Sequence, residues 1–448
     1  MGAGLRPLYM VNAYKLLPMF KEVTQRKVGL LASISVALVT LFVTPQSSLD
    51  PIYVPKLWVL LALAFAVLGV LLLDIKPFFK KENWPPLFAS KSVSLFMLIA
   101  MLLSDAPISQ QLFGTYGRNT GLFTYLAFVI LFIGVALATG NSIQKPFLIA
   151  FGIAIGINAI YGIFQALDKD PFNWSNPYAP VIGTLGNPNF VSAFLGMGVA
   201  LALAYLFATN LDVKYRILCV LYIAIALNDI LKSDAQQGLI VSLLSAGLVG
   251  YFLIKSKIKS AIVRYGYLAI GFIVFLIGVA GTLQKGPLAS ILYKPSVTYR
   301  GDYWRAGLEM FKNNLFFGVG LDSYGDWYRA SRTVEATLRR GPSTVSNAAH
   351  NVYIDIAATA GIFALIAYFA VIFLGIRAAY RISKRNTSFD PFYVTIFVAW
   401  VGYLVQSAIS INNIALGIWG WVLPGILISM ERWQREFSKA DPAIKTPK

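Results

Sequence analysis

Long apolar stretches recur from one end of this chain to the other, and many exceed the roughly 18 residues that carry a helix across a bilayer. A soluble core does not need so many. Composition agrees: 57% of the residues are hydrophobic, 13% are charged and the mean hydropathy is +0.66. Soluble domains run at about 45–50% apolar and about 25% charged. The chain therefore reads as an all-α polytopic membrane protein. About twelve spans are expected, at 28–43, 53–73, 93–103, 121–139, 146–167, 189–207, 216–230, 239–254, 262–283, 349–376, 391–409 and 413–430. The third is short enough to be re-entrant.

The basic residues set an orientation. Lys21, Arg26 and Lys27, then Lys76, Lys80, Lys81 and Lys91, then Lys145, Lys214, Lys255, Lys257, Lys259 and Arg264, then Arg377, Arg381, Lys384 and Arg385, then Arg432, Arg435 and Lys439 occupy alternate connections and the flanks of the outermost spans. The other short connections hold few: Lys56, Arg118, Lys169 and Lys232. By the positive-inside trend, both termini are expected in the cytoplasm. The first apolar run lacks a small-residue cleavage site and is expected to stay as a helix. The net charge of +18 then reflects topology and anionic lipid rather than nucleic acid. A lone cysteine, Cys219, excludes an internal disulfide, and a lone histidine, His350, leaves little for a zinc site.

One connection is unlike the rest. Residues 284–348 form a long hydrophilic segment, placed outside by this topology, with nine basic residues against five acids. The expected division is an N-terminal bundle at 1–283, the outer segment at 284–348, C-terminal spans at 349–437 and a polar tail at 438–448. Within the outer segment, TYRGDYWRAGLEMFKNN has helical periodicity. Trp304, Leu308 and Phe311 make an apolar stripe. Asp302, Arg305, Glu309 and Lys312 make a charged one, on which Arg305 is expected to pair with Asp302 and Glu309.

Arg300 has no acid three or four residues away, and stacking on Trp304 would leave its donors free for a phosphate or carboxylate. Arg118, in LFGTYGRNTGLF, lacks a local acid as well, and the glycines beside it allow a ligand close approach. An arginine snorkelling to headgroups is the bland alternative. His350 precedes an apolar run, with Asn351 and Tyr353 beside it. Ser346 or Asn347 is expected to cap the helix that becomes the tenth span. His350 would lie in its first turn, where the helix end disfavours imidazolium. A neutral imidazole is a general base, and arginines stabilise a leaving diphosphate. Together they suit transfer from a diphosphate-activated donor, with no metal required.

These residues resemble the superfamily of bacterial inner-membrane O-antigen ligases, O-antigen polymerases and protein O-oligosaccharyltransferases. The carriers are Arg300 and Trp304 as R-x-x-x-W, the following NNLFFGVGLDSY, then HNVYIDIAATAGI, and upstream LFGTYGRNTG. The resemblance implies a GT-C-type glycosyltransferase with a large periplasmic loop between helices 9 and 10. It implies an undecaprenyl-diphosphate-linked glycan donor, and a glycolipid, glycan or protein acceptor, in the bacterial cytoplasmic membrane. His350 matches the family's proposed base and Arg300 its diphosphate contact. Arg118, Arg305, Trp304, Asn351 and Tyr353 are the further candidate substrate contacts, no cofactor is implied, and the partners are these substrates and membrane lipids. One departure stands out: many members carry an S-R-G-G-like element where this chain reads KSDAQQGLIVSLL, with Gln237 in the place of arginine. The rival from another class is a transporter or flippase, in which Asn158, Gln165, Asn228 and Asp229 would mark a path through the spans.

Overall fold

The structure, a computed structural model, describes residues 20–45, 50–138, 140–172, 174 and 180–440. From residue 441 the expected polar tail lies outside the described residues. Every regular element among the described residues is helical.

The N-terminal bundle holds α1 (Glu22–Leu41), α2 (Tyr53–Leu72), α3 (Trp84–Leu102), the short α4 (Ile108–Phe113), α5 (Leu122–Leu137), α6 (Gly140–Ala166), α7 (Pro188–Leu206), α8 (Val213–Lys232), α9 (Gln236–Lys257) and α10 (Ala261–Thr282). The outer segment contributes α11 (Ala289–Leu292), α12 (Pro295–Asn313), α13 (Tyr324–Ser331) and α14 (Val334–Arg340). The chain closes with α15 (Val352–Arg385), α16 (Pro391–Ser407) and α17 (Ile414–Ala440). Each predicted span falls on one of these helices. Eight of the described helices are long and apolar enough to cross a membrane, and α5 and α16 are shorter apolar helices. The third span is longer than expected. Pro85 and Pro86 in the first turn of α3 suit a helix start, so the helix begins at Trp84.

The core sits on α17, whose apolar stretch is 94% buried, whereas that of α10 is 0% buried and lies at the periphery. Trp419 of α17 packs against Phe151, Phe194 and Phe147 at centroid distances of 4.6, 5.3 and 5.7 Å. Its Nε1–H donates to Thr40 Oγ1 at 2.9 Å. The buried indole thus brings its polar edge to a partner, as an apolar interior demands. Asn158 and Gln165 fasten a loop: Asn158 Oδ1 accepts the Thr184 N–H at 3.0 Å, and Gln165 Oε1 accepts the N–H groups of Ile182 and Gly183 at 3.0 and 2.8 Å. Asn228 donates to its neighbour Asp229 at 3.2 Å.

Connections expected on one side of the membrane meet in space. At one end Lys21 N–H donates to Asp74 at 2.6 Å, Arg432 to Asn83, and Lys255 to Ser383 Oγ at 2.6 Å. At the other end Thr115 N–H donates to Asp322 at 2.6 Å, Lys294 to Asp234 at 2.7 Å, and Asn351 to the Ala408 carbonyl at 2.9 Å.

Two features of the outer segment depart from expectation. The face that α12 buries is Tyr303, Ala306, Gly307 and Met310 together with Asp302, while Leu308 is exposed. The small residues decide this: a Cβ at Gly307 would meet Ile354 Cγ2 at 2.6 Å, so only glycine lets α12 lie so close to α15. The second feature is a break in α15. Gly361 has φ 77°, which separates a short helix from the long one that follows. The segment from Leu315 to Gly320 runs beside the break and takes up its loose backbone groups. Val319 N–H donates to Ala358 O at 2.9 Å, Gly320 N–H to Thr359 O at 3.1 Å, and Ile362 N–H to Leu315 O at 2.8 Å. Broken helices are tolerated in membranes only where their backbone is satisfied in this way. NNLFFGVGLDSY is therefore a strap across a helix discontinuity.

Candidate functional site

The outer segment has its own small core, formed by Tyr303, Ala306, Met310, Val319, Tyr324, Tyr328, Ala349 and Ala358. Pro295 opens α12. Asp302, buried on that helix, accepts two hydrogen bonds from Arg339 Nη1 of α14 at 2.5 and 2.6 Å. Arg332 Nη1 and Nη2 donate to the carbonyls of Gly341, Thr344 and Pro342 at 3.3, 2.8 and 2.7 Å. The Arg339 bonds fix the end of α14 against α12, and those of Arg332 tie the residues after α14 to the end of α13.

His350 stands one residue before the cap of α15. The cap is Asn351, whose Oδ1 accepts the N–H groups of Tyr353 and Ile354 at 3.0 and 3.1 Å. Ser346 and Asn347 do not cap the helix. His350 thus lies outside the first turn, with a left-handed φ of 53°. Its ring stacks on Tyr303 at 4.9 Å and 26°. The backbone around it is pinned from three sides. Trp304 Nε1–H donates to the His350 carbonyl at 3.4 Å, the Ala349 N–H donates to Asp355 at 3.0 Å, and Arg118 donates to the Asn347 carbonyl. The half-buried imidazole itself has no hydrogen-bond partner among the described residues.

Burial, followed by the positive charges of Arg300, Arg118 and Arg340, lowers the His350 pKa to about 3. The imidazole is neutral at pH 7. The cause is its surroundings, not the helix end. A group whose folded pKa lies below its unfolded value stabilises the fold above the unfolded value of about 6.5. That stability is lost as pH falls from about 6.5 towards 3.

Arg300 is half-buried and has no ion-pair or hydrogen-bond partner among the described residues. Burial alone lowers its pKa from the usual value. It does not stack on Trp304, whose N–H is turned to His350. The arginine over the aromatic rings is Arg340, the last residue of α14. Its guanidinium lies 4.4 Å from the Tyr299 ring centre and 5.6 Å from that of Tyr303, and it donates to the Tyr303 hydroxyl. Tyr299 and Tyr303 are one helical turn apart, so they present their rings side by side. Arg340, Tyr303 and His350 therefore gather at one place, and Arg300 lies near enough for its charge to act on the imidazole. Arg340 escapes a reading of sequence because nothing local distinguishes it from Arg339, which is committed to Asp302.

The other candidates have structural partners. Arg118 is buried, with Nη2 at 3.1 Å from Asp322 and 3.3 Å from Asp355. Its expected lack of a carboxylate holds only along the chain. Arg305 is 65% exposed, at 3.9 Å from Asp302, and Glu309 instead accepts from Asn313 at 3.0 Å. Asn351 uses its oxygen for the cap and its amide for Ala408. Tyr353 donates its hydroxyl to the Leu404 carbonyl at 3.0 Å and stacks on Phe369. Gln237 is buried at the start of α9, where its amide reaches the Ile409 carbonyl at 3.5 Å, next to the residue that receives Asn351. Among the described residues no group of three or more His, Cys, Asp and Glu side chains is placed to hold a metal.

Compared with known families, residues 221–369 match the family model described as O-antigen ligase. The match runs from α8 into α15 and includes Arg300, Arg340 and His350, but not Arg118. No curated protein matches the chain.

Proposed function

We propose, on the match of residues 221–369 to the family model described as O-antigen ligase, that the chain moves a glycan from an undecaprenyl-diphosphate-linked donor to an acceptor hydroxyl. The reaction takes place at the outer face of the bacterial cytoplasmic membrane. Twelve helices cross the bilayer in this proposal, both termini are cytoplasmic, and residues 284–348 are periplasmic. The observation that carries it is the neutral, hydrogen-bond-free imidazole of His350 within the field of the carboxylate-free Arg300 and of Arg340.

The acceptor oxygen attacks the anomeric carbon as the bond from that carbon to the diphosphate oxygen breaks. His350 takes the hydroxyl proton and later returns it to solvent. Charge grows on the leaving lipid diphosphate, where Arg300 and Arg340 receive it. A single displacement inverts the anomeric centre. A base with a pKa near 3 is weak. Burial first, and then the arginines, hold that pKa down; a bound diphosphate brings negative charge to the arginines and so raises the basicity of His350. Arg118, Asn351, Tyr353 and Trp304 act by holding the backbone on which the imidazole stands.

Liposomes containing the purified protein and a defined undecaprenyl-diphosphate glycan, offered a glycolipid, a glycan and a protein acceptor in turn, test the proposal by product mass. One acceptor class is expected to gain the glycan. No product with any of them would contradict the proposal. Arg300→Lys is expected to lose about 10²-fold in turnover, because a point charge lacks the planar fork. Full activity in that variant would reduce the site to bulk charge.

A further inference from the structure

We infer that the end of the bundle away from His350 holds a site for the phosphate headgroup of an anionic phospholipid, built from Arg377, Arg381, Arg385 and Arg435 around Glu431. An open cleft of about 70 Å³ lies there between α3, α15 and α17. Glu431 is buried, and three guanidiniums share it: Arg385 at 3.3 Å, Arg381 at 3.6 Å and Arg435 at 3.7 Å. None makes the short paired contact that satisfies an arginine fork, which lies at about 2.7–2.9 Å. Arg377 lies one turn before Arg381 on α15, is exposed, and has no carboxylate partner among the described residues. Arg432, buried beneath them, donates to the Ala136 carbonyl at 2.6 Å and adds its charge to the floor. Four arginines and two glutamates line the cleft, a net charge of +2 before Arg385 is counted. Arg435 also turns its Nε–H to Glu436 at 3.1 Å, so the donors open to an anion with several acceptor oxygens are those of Arg377, Arg381 and Arg385 that Glu431 does not use.

The walls favour a lipid over free phosphate. Pro85, Pro86, Leu374 and Ile428 line the same cleft, so it is basic at one side and apolar at the other. From the break at Gly361 to Arg381 the helix rises about 30 Å at 1.5 Å per residue, close to the thickness of a bilayer's hydrocarbon core. The cleft therefore lies at the membrane boundary opposite the candidate site, at headgroup depth. Basic pockets between helices at that depth are suited to acidic headgroups.

Native mass spectrometry of the detergent-purified protein tests this, with phosphatidylglycerol, phosphatidylcholine and inorganic phosphate as probes. Phosphatidylglycerol is expected to be retained roughly tenfold more tightly than phosphatidylcholine, and inorganic phosphate at millimolar concentration is expected not to displace it. Arg377→Gln with Arg381→Gln should erase the preference. Arg377→Gln alone, at an exposed position, should weaken it without affecting folding. Glu431→Gln should strengthen it, a direction that a purely structural role for the cluster does not produce. Equal retention of both lipids, an unchanged preference in Arg377→Gln, or displacement by inorganic phosphate would overturn the inference.

Discussion

His350→Ala is expected to lower glycan transfer by about 10²–10⁴-fold, the usual worth of a positioned general base, while leaving a folded, inserted protein. The fold should survive because the imidazole makes no hydrogen bond. The contact from Trp304 goes to the backbone carbonyl, which alanine keeps. The lost ring stack on Tyr303 and the left-handed φ of 53° are the local costs. His350→Asn separates chemistry from folding, since asparagine tolerates that conformation better than alanine does. The asparagine variant should lie closer to wild type than the alanine variant in thermal stability and match the alanine variant in inactivity. Near-normal transfer by either variant, measured as product per protein in liposomes, would remove the proton-accepting role.

Arg118→Ala should act on the fold instead. Its guanidinium lies between the buried carboxylates of Asp322 and Asp355 and also holds the Asn347 carbonyl. Removing one partner from a buried ion cluster typically costs about 3–5 kcal/mol, because the remaining charge has no compensation. Here two carboxylates would face each other. Asp322 also receives the N–H of Thr115 and the hydroxyl of Thr120, so displacing its carboxylate by repulsion from Asp355 would loosen the loop before α5 together with the strap over Gly361. The expected result is a large drop in thermal stability, partly recovered when Asp322→Asn is added. If Arg118 instead touched the donor, Arg118→Ala would keep its melting temperature and show a raised KM.

The positions of the long apolar helices were legible because an apolar run is a local property. Partners were not. Arg118 meets Asp355 across 237 residues and Asn347 across 229, so no window along the chain reveals its ion pairs. The face of α12 was misread for a related reason. Trp304, Leu308 and Phe311 are apolar by type, yet close approach to α15 is set by Ala306 and Gly307, whose value lies in their small size. Ser346, Asn347 and Asn351 are all competent caps, and only the extended backbone of Asn351 selects it. The break at Gly361 lies inside a continuous apolar stretch, and its partner strap comes some forty residues earlier. Arg300 and His350 were visible as an arginine without a local acid and as a lone histidine. Arg340 needed the tertiary fold, which sends Arg339 to Asp302 and leaves its neighbour beside Tyr303.

The lone histidine makes the central claim directly measurable. Nuclear magnetic resonance of protein labelled only in histidine gives one imidazole signal. In the free protein that signal is expected to stay at the neutral position from about pH 8 to about pH 5, well below the ordinary midpoint near 6.5, because burial and three arginines hold the pKa near 3. Saturating inorganic pyrophosphate should raise the midpoint into the accessible range, and Arg300→Ala should abolish most of that rise. A midpoint near 6.5 without ligand, or bound pyrophosphate that leaves the signal unmoved, would contradict a diphosphate site built around His350.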